Sequence, residues 1–70
     1  MAAGNFGYLE DCTILRTTDK AVKLEYDGEE YWFPRACLEN DGEHLRVGES
    51  GYTVAVARRI LREKGIDLDD

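Results

Sequence analysis

The stretch TDKAVKLEYDGEEYWFPRACLE, residues 18–39, decides the fold of this chain. It holds two runs in which apolar and polar residues alternate, joined at Asp27-Gly28. An Asp-Gly dipeptide between such runs favours a two-residue hairpin turn, because both turn positions need a positive φ. The second run ends in three consecutive aromatic residues and then Pro34, which lacks an amide hydrogen and ends the strand ladder. The segment predicts a β-hairpin with strands at 21–26 and 29–33.

The register of this hairpin decides which way Trp32 points. A two-residue turn places Lys23 opposite Trp32 on the outer face, where the ammonium group and the ring favour a cation–π contact. The same register sets Glu25 against Glu30, a like-charge pair that costs a little stability. Its core face carries Val22, Leu24, Tyr31 and Phe33. A three-residue turn instead pairs Leu24 with Trp32 and buries the indole. Both registers remain open from the residues alone.

Turn signals divide the rest of the chain into short elements. Strands are predicted at 7–16, 44–47 and 52–54, with a single helical turn at 35–38. A helix is predicted at 55–64, because Val56, Ile60 and Leu61 recur at helical spacing and Gly65 suits a C-terminal cap. Its start stays open, since residues 54–56 suit either a strand end or a first helical turn. About five short strands predict a mainly β (α+β) fold, a small antiparallel, partly open SH3-like barrel with a C-terminal helix.

The chain is predicted to form one domain over residues 1–70. Within it we expect a loose N-terminus at 1–6, the barrel at 7–54, the helix at 55–64 and an acidic tail at 66–70. Seventy residues lie near the lower limit for folding without staples, and 43% apolar with 34% charged residues is too balanced for a disordered chain. No apolar run approaches the ~18 residues of a membrane span, and no signal-peptide core follows Met1. We expect a soluble, cytoplasmic protein with no membrane partner.

The formal charge of −6 is unevenly distributed. Residues 1–53 carry 5 basic and 11 acidic groups, whereas residues 54–64 carry four basic groups and one acidic group. An acidic body disfavours non-specific binding to DNA or RNA, because phosphate contacts supply most of that affinity. The charge distribution favours a partner with a basic surface. The alternative interpretation is that the acidic residues only keep a small domain soluble.

No catalytic or metal-binding motif stands out. Cys12 and Cys37 are expected to be small buried hydrophobic residues, and a disulfide between them requires the fold to bring them together. A zinc site built from these cysteines and His44 lacks any closely spaced ligand pair. His44 and Ser50 have no third group at a recognisable spacing, and no glycine-rich phosphate loop is present. The sequence predicts a protein that is not an enzyme and has no cofactor or metal.

The hairpin and its flanks resemble short uncharacterised proteins encoded by bacteriophages and prophages, over about residues 13–66. The shared pattern is roughly TDKA-x-x-x-E-x-DG-x-E-x-W-x-P-K/R, followed by a terminal strand and a helix ending in Lys-Gly, here Lys64-Gly65. The resemblance implies a small β-rich fold of mobile-element origin and assigns no active site. This chain departs from the pattern at Ala36-Cys37, usually a polar pair, and at Val56-Ala57-Arg58, usually a helix start with Pro and Trp.

The leading hypothesis is a non-enzymatic phage or prophage protein that binds and modulates a host protein. An anti-defence role such as CRISPR inhibition fits a small acidic domain that competes for a basic, nucleic-acid-binding surface. Trp32 and Arg35 are the candidate anchors, because interface hot spots favour Trp and Arg. The candidate acidic contacts are Glu29, Glu30, Glu39, Asp41 and Glu43.

Two alternatives belong to other functional classes. A nucleic-acid-binding module would stack bases on Trp32 and use Lys23 and the cationic strip Arg58, Arg59 and Arg62, although that strip is more often a solvated helix face. An oligomeric structural protein would share Val56, Ile60 and Leu61 across a homodimer.

Overall fold

A computed structural model describes residues 6–66 as one antiparallel sheet with a short C-terminal helix. The strands are β1 (Phe6–Thr17), β2 (Ala21–Tyr26), β3 (Glu29–Pro34) and β4 (Tyr52–Ala57), and the helix is α1 (Arg58–Glu63). Two short 3-10 turns, Arg35–Cys37 and Glu39–Gly42, follow β3. The strand order is β3-β2-β1-β4, and the sheet does not close into a barrel. The mainly β class with a terminal helix is confirmed, whereas the expected fifth strand does not form in this part of the chain.

The β2–β3 hairpin has the two-residue turn that its sequence predicts. Asp27 and Gly28 have φ values of 55° and 81°, as such a turn requires. Val22 pairs with Phe33 and Leu24 with Tyr31, so these residues share the core face. Lys23 pairs with Trp32, which confirms the register that turns the indole outward.

Strand β1 changes face in its middle through a β-bulge. Leu9 pairs with Val54 and Cys12 with Tyr52, so two residues of β1 stand opposite one residue of β4. Asp11, with a φ of 59°, occupies the bulge. As a result Leu9 and Cys12 are both fully buried although their positions differ in parity. A second irregularity lies between Ile14 and Arg16, where β1 pairs with β2. Such register shifts bend a strand and increase its twist.

The strand predicted at 44–47 is wrong, because this segment forms turns. Leu45 is buried in the core, but Val47 is 56% exposed. Residues 45 and 47 therefore do not share one buried face, as they would in a strand. The Leu45 amide donates to the Gly42 carbonyl at 3.1 Å. The Gly48 amide donates to the Ile14 carbonyl, and the Ile14 amide donates to the Glu49 carbonyl. These two backbone hydrogen bonds attach the loop to β1.

The helix begins later than its periodicity predicts. Residues 55–57 belong to β4, where Val56 pairs with Gly7 and is fully buried, so pairing with β1 overrides the helical spacing. Gly65 follows the helix with a φ of 77°, and the Ile66 amide donates to the Leu61 carbonyl at 2.9 Å, which confirms the glycine cap. Ile66 packs against the core and does not belong to a solvated tail. The predicted loose N-terminus, apart from Phe6 in β1, and the tail at 67–70 lie outside the described residues.

The hydrophobic core lies between the concave face of the sheet, α1 and the loops after β3. Its largest fully buried side chains come from all four strands. They are Phe33, Leu9, Ile14, Leu24, Val22, Val54, Val56 and Cys12. Leu38, Leu45 and Leu61 complete the cluster from the turns and the helix.

Candidate binding surface

The outer face of the β2–β3 hairpin presents an aromatic side chain among exposed acids. Trp32 is 41% exposed, because its neighbours Tyr31 and Phe33 turn their rings toward the core. We define the acidic hairpin surface as Trp32 with Glu25 and Glu30 on its own face and Asp27 and Glu29 at the turn end of the hairpin, all of them exposed. Glu29 has the parity of Tyr31, so its side chain points to the other face of the sheet. Lys23 is the single basic residue between positions 23 and 32, so the hairpin carries four acids against one base. This surface is therefore acidic around one large apolar group.

The predicted cation–π contact of Lys23 with Trp32 is wrong. The Lys23 Nζ atom lies 3.0 Å from the Glu30 Oε1 atom, diagonally across the hairpin. This ion pair offsets part of the repulsion between the directly opposed Glu25 and Glu30. A different cation stands over a ring, since Lys64 Nζ is 5.7 Å from the Phe33 centroid on the core side of the sheet.

Arg35, the second predicted anchor, is half-buried and uses its guanidinium group for hydrogen bonds within the chain. Its Nε atom donates to the Thr18 carbonyl at 2.8 Å. Its Nη1 atom donates to the carbonyls of Asp41 at 2.8 Å and Gly42 at 3.3 Å. The guanidinium thus joins the turn before β2 to the 3-10 turn that follows β3, and its donors are directed into the chain itself.

A shallow groove of about 390 Å³ lies at this junction, beside Arg35. Asp19 and Asp41 line it together with Lys20 and Arg35, so its acidic and basic groups balance. Pro34 and Ala36 complete the lining. The groove has no net charge to select a basic partner, unlike the hairpin surface.

The predicted acidic contacts fall into two groups. Glu29 and Glu30 lie at the turn end of β3, whereas the Arg35 contact places Asp41 near the opposite end. A six-residue strand separates its ends by about 17 Å, at ~3.3 Å per residue. Glu39 and Glu43 flank Asp41 in the chain and are exposed with it. The seven predicted contact residues therefore do not form one patch.

Two acids of the hairpin surface, Glu25 and Asp27, were not among the predicted contacts. Their place follows from the same register that turns Trp32 outward, since Glu25 is directly opposite Glu30. Asp27 occupies the turn itself. The alternation of the two strands contained this information, but the sequence did not decide between the two registers.

Of the cations in the nucleic-acid alternative, only Lys23 shares a face with Trp32. Helix α1, which carries Arg58, Arg59 and Arg62, packs on the core side through Leu61. Trp32 points to the opposite side of the sheet, and Lys23 is engaged by Glu30. The proposed stacking residue and the arginine strip are therefore separated by the sheet.

The residues considered for metal binding, a disulfide or catalysis include two buried cysteines and an exposed histidine. Cys12 and Cys37 are buried free thiols, as expected for small hydrophobic residues. Burial, with a smaller contribution from the charge of Asp11, raises the pKa of the Cys12 thiol from 9.0 to about 12. His44 is exposed and its ring meets that of Tyr52 at 6.0 Å. Within residues 6–66, no three His, Cys, Asp or Glu side chains cluster as metal ligands would.

The hydrophobic residues considered for a dimer are mostly used inside the chain. Val56 is fully buried and Leu61 is 3% exposed, so their surface is already covered. Ile60 is half-buried against the core and keeps some exposed surface.

Over residues 6–66, no helix has the length and apolar character needed to cross a membrane. No protein-family model, curated protein or solved structure matches this chain.

Proposed function

We propose that this chain is a non-enzymatic binding protein whose acidic hairpin surface docks on a basic surface of another protein. The observation that carries the proposal is the exposed indole of Trp32 on the same hairpin face as Glu25 and Glu30, with two more exposed acids at the turn end. Large aromatic residues near the centre of an interface supply most of the binding energy, and surrounding charges choose the partner and accelerate encounter.

The resemblance to phage and prophage proteins makes a host protein the proposed partner. A basic host surface is often one that binds DNA or RNA, since cationic groups supply most of the affinity for phosphates. Occupying such a surface would inhibit the host protein without any chemistry. Anti-defence activity, including inhibition of a CRISPR effector, is the form of this function that we propose.

The proposal is tested by affinity capture with variants matched in charge. One variant replaces three acids of the hairpin, Glu25→Gln, Glu29→Gln and Glu30→Gln. Its control makes the same change in charge beyond the other end of β3, with Glu39→Gln, Asp41→Asn and Glu43→Gln. We expect the wild type and the control to capture the same protein from a bacterial host lysate, and the hairpin variant to recover at least about tenfold less, a difference of ~1.4 kcal/mol.

Equal capture by both variants would contradict the proposal. A second measurement separates it from nucleic-acid binding, because Trp32 is the single tryptophan and reports on its own surroundings. Its fluorescence should not respond when single-stranded DNA or RNA is added at low salt. Quenching that disappears at high salt would instead identify a nucleic-acid-binding module.

A further inference from the structure

The outer edge of β3 presents unpaired backbone groups whose positions follow from the hairpin register. The Arg35 amide donates to the Lys20 carbonyl at 2.8 Å. Residues 20 and 35 therefore form a hydrogen-bonded pair that continues the register of β2 and β3. Residues 29, 31 and 33 therefore direct their backbone groups toward β2, because hydrogen-bonded and non-hydrogen-bonded pairs alternate in an antiparallel ladder. Glu30 and Trp32 direct their N–H and C=O groups away from it.

The two edges of the sheet differ in how they are covered. At β4, Leu38 forms a bridge with Val56, so the segment after β3 occupies part of that edge. At β3, no strand within residues 6–66 pairs on the outer side. An exposed edge of this kind is a template for another extended chain, unless proline or charge blocks it.

Pro34 and the acidic residues of β3 restrict which segments can pair with this edge. They do not block the edge completely. Pro34 ends the edge, but it lies beyond Trp32 and leaves the groups of Glu30 and Trp32 accessible. The acids repel a second copy of the same edge, because Glu30 would approach its own counterpart. They attract a segment that carries positive charge.

We propose that the β3 edge binds an extended protein segment of alternating basic and apolar residues as an added strand. This inference rests on the proposed function and specifies the mode of binding. Because strand side chains alternate, one face of the added strand would lie beside Glu30 and Trp32 and the other beside Tyr31. Arginine suits the first face, through an ion pair with Glu30 and stacking on the indole. An aliphatic residue suits the second, where Tyr31 is half-buried.

The test uses a short synthetic peptide in which arginine alternates with valine. Its control carries N-methyl groups on the amides that would pair with β3, which keeps charge and side chains but removes the donors. We expect the unmodified peptide to slow hydrogen exchange at the Glu30 and Trp32 amides. The methylated peptide should bind about tenfold more weakly, because two backbone hydrogen bonds are lost.

Two protein variants provide an independent comparison. Glu30→Pro removes a donor that points outward, where proline is tolerated on an edge strand, and Glu30→Gln removes the charge alone. Binding weaker for Glu30→Pro than for Glu30→Gln supports strand addition. Equal affinity for both peptides, with no protection of the two amides, overturns strand addition while leaving recognition by the acidic surface intact. If neither peptide binds, strand addition is wrong, and the capture experiment decides the proposed function separately.

Discussion

Lys23 and Glu30 form an ion pair diagonally across the β2–β3 hairpin, with 3.0 Å between Nζ and Oε1. Their side chains are 31% and 59% exposed, so solvent screens the attraction. We expect a double-mutant cycle with Lys23→Gln and Glu30→Gln to give a coupling of about 0.2–1 kcal/mol that disappears in high salt. Urea unfolding at low and high salt measures this coupling. A coupling that persists in high salt would contradict an exposed pair.

The Glu25→Gln change should raise the stability of the fold, whereas loss of the Lys23–Glu30 pair should lower it. Glu25 lies directly opposite Glu30, and removing one of two opposed charges relieves repulsion. We expect a gain in the free energy of unfolding of a few tenths of a kcal/mol, about 0.2–0.5 at low salt. Glu29→Gln, at the hydrogen-bonded pair next to the turn, is the matched control because its partner is the uncharged Tyr26. It should change stability less than Glu25→Gln does.

Asp11 should tolerate glycine much better than a β-branched residue. Its φ of 59° lies in the left-handed region, which Asp and Gly adopt far more readily than Val. We expect Asp11→Val to lower the free energy of unfolding by about 1–3 kcal/mol, and Asp11→Gly to stay within about 1 kcal/mol of the wild type. Chemical denaturation compares the two variants. If Val and Gly were equal, the bulge would not need the left-handed conformation.

The hairpin was predictable from sequence because a local rule determines it. Asp27-Gly28 marks the position of the turn but leaves loops of two and three residues open, and with a two-residue turn the alternation assigns every pair of β2 and β3. The bulge at Asp11 was not predictable, because an acidic residue in a strand is equally compatible with ordinary solvent exposure. The place of Val56 was left open, since its spacing to Ile60 fits a helix and its position also suits a strand end, and pairing with Gly7 places it in β4. Contacts between distant residues decide both cases.

The candidate surface was predictable to a similar extent. Trp32 and its acidic neighbours follow from the hairpin register, which is local. The role of Arg35 does not, because its hydrogen bonds join carbonyls of the turns on either side of the hairpin, at Thr18, Asp41 and Gly42. No pattern in the sequence identifies a side chain that binds backbone carbonyls from separate turns.

Arg35→Lys should destabilise the fold because a lysine cannot reproduce these bonds. The planar guanidinium directs donors at two turns, whereas an ammonium group is a single point. We expect the free energy of unfolding to fall by about 1–3 kcal/mol. Arg46→Lys is the control, since the guanidinium of exposed Arg46 donates to the Glu43 carbonyl at 3.0 Å within its own turn, and the change should alter stability by less than about 0.5 kcal/mol. Equal losses in thermal or urea unfolding would contradict a structural role for Arg35.

Gly42→Ala should cost more than Gly28→Ala, although both glycines have a positive φ. A Cβ atom at Gly42 would lie 2.9 Å from Leu38 Cδ1 and 3.1 Å from Leu45 Cδ1, both in the core. A Cβ atom at Gly28 meets nothing within 4 Å. We therefore expect about 1 kcal/mol of backbone strain in Gly28→Ala, and a further ~1–3 kcal/mol of overpacking in Gly42→Ala. The difference between the unfolding free energies of the two variants gives the packing cost at Gly42.

Tyr52 should titrate at a higher pH than an ordinary tyrosine, because its hydroxyl donates to Glu49 Oε1 at 2.6 Å. This hydrogen bond is the main reason that the pKa of Tyr52 is raised above 10.0, with smaller contributions from burial and the Glu49 charge. In Glu49→Gln we expect the pKa of Tyr52 to fall toward 10.0. The pKa of Tyr26, which is raised chiefly by burial, should stay unchanged and serves as the internal control.

The same bond makes stability depend on alkaline pH. Because the folded-state pKa of Tyr52 exceeds the unfolded value, the stabilisation is fully present below about pH 10 and is lost as pH rises through the folded pKa. Titration of the tyrosine ring carbons by NMR gives the pKa values, and urea unfolding on both sides of pH ~10 gives the stability. Tyr52→Phe removes the ionisable group, so its loss of stability across this range should be smaller than that of the wild type. An identical loss in both proteins would show that the alkaline transition originates elsewhere.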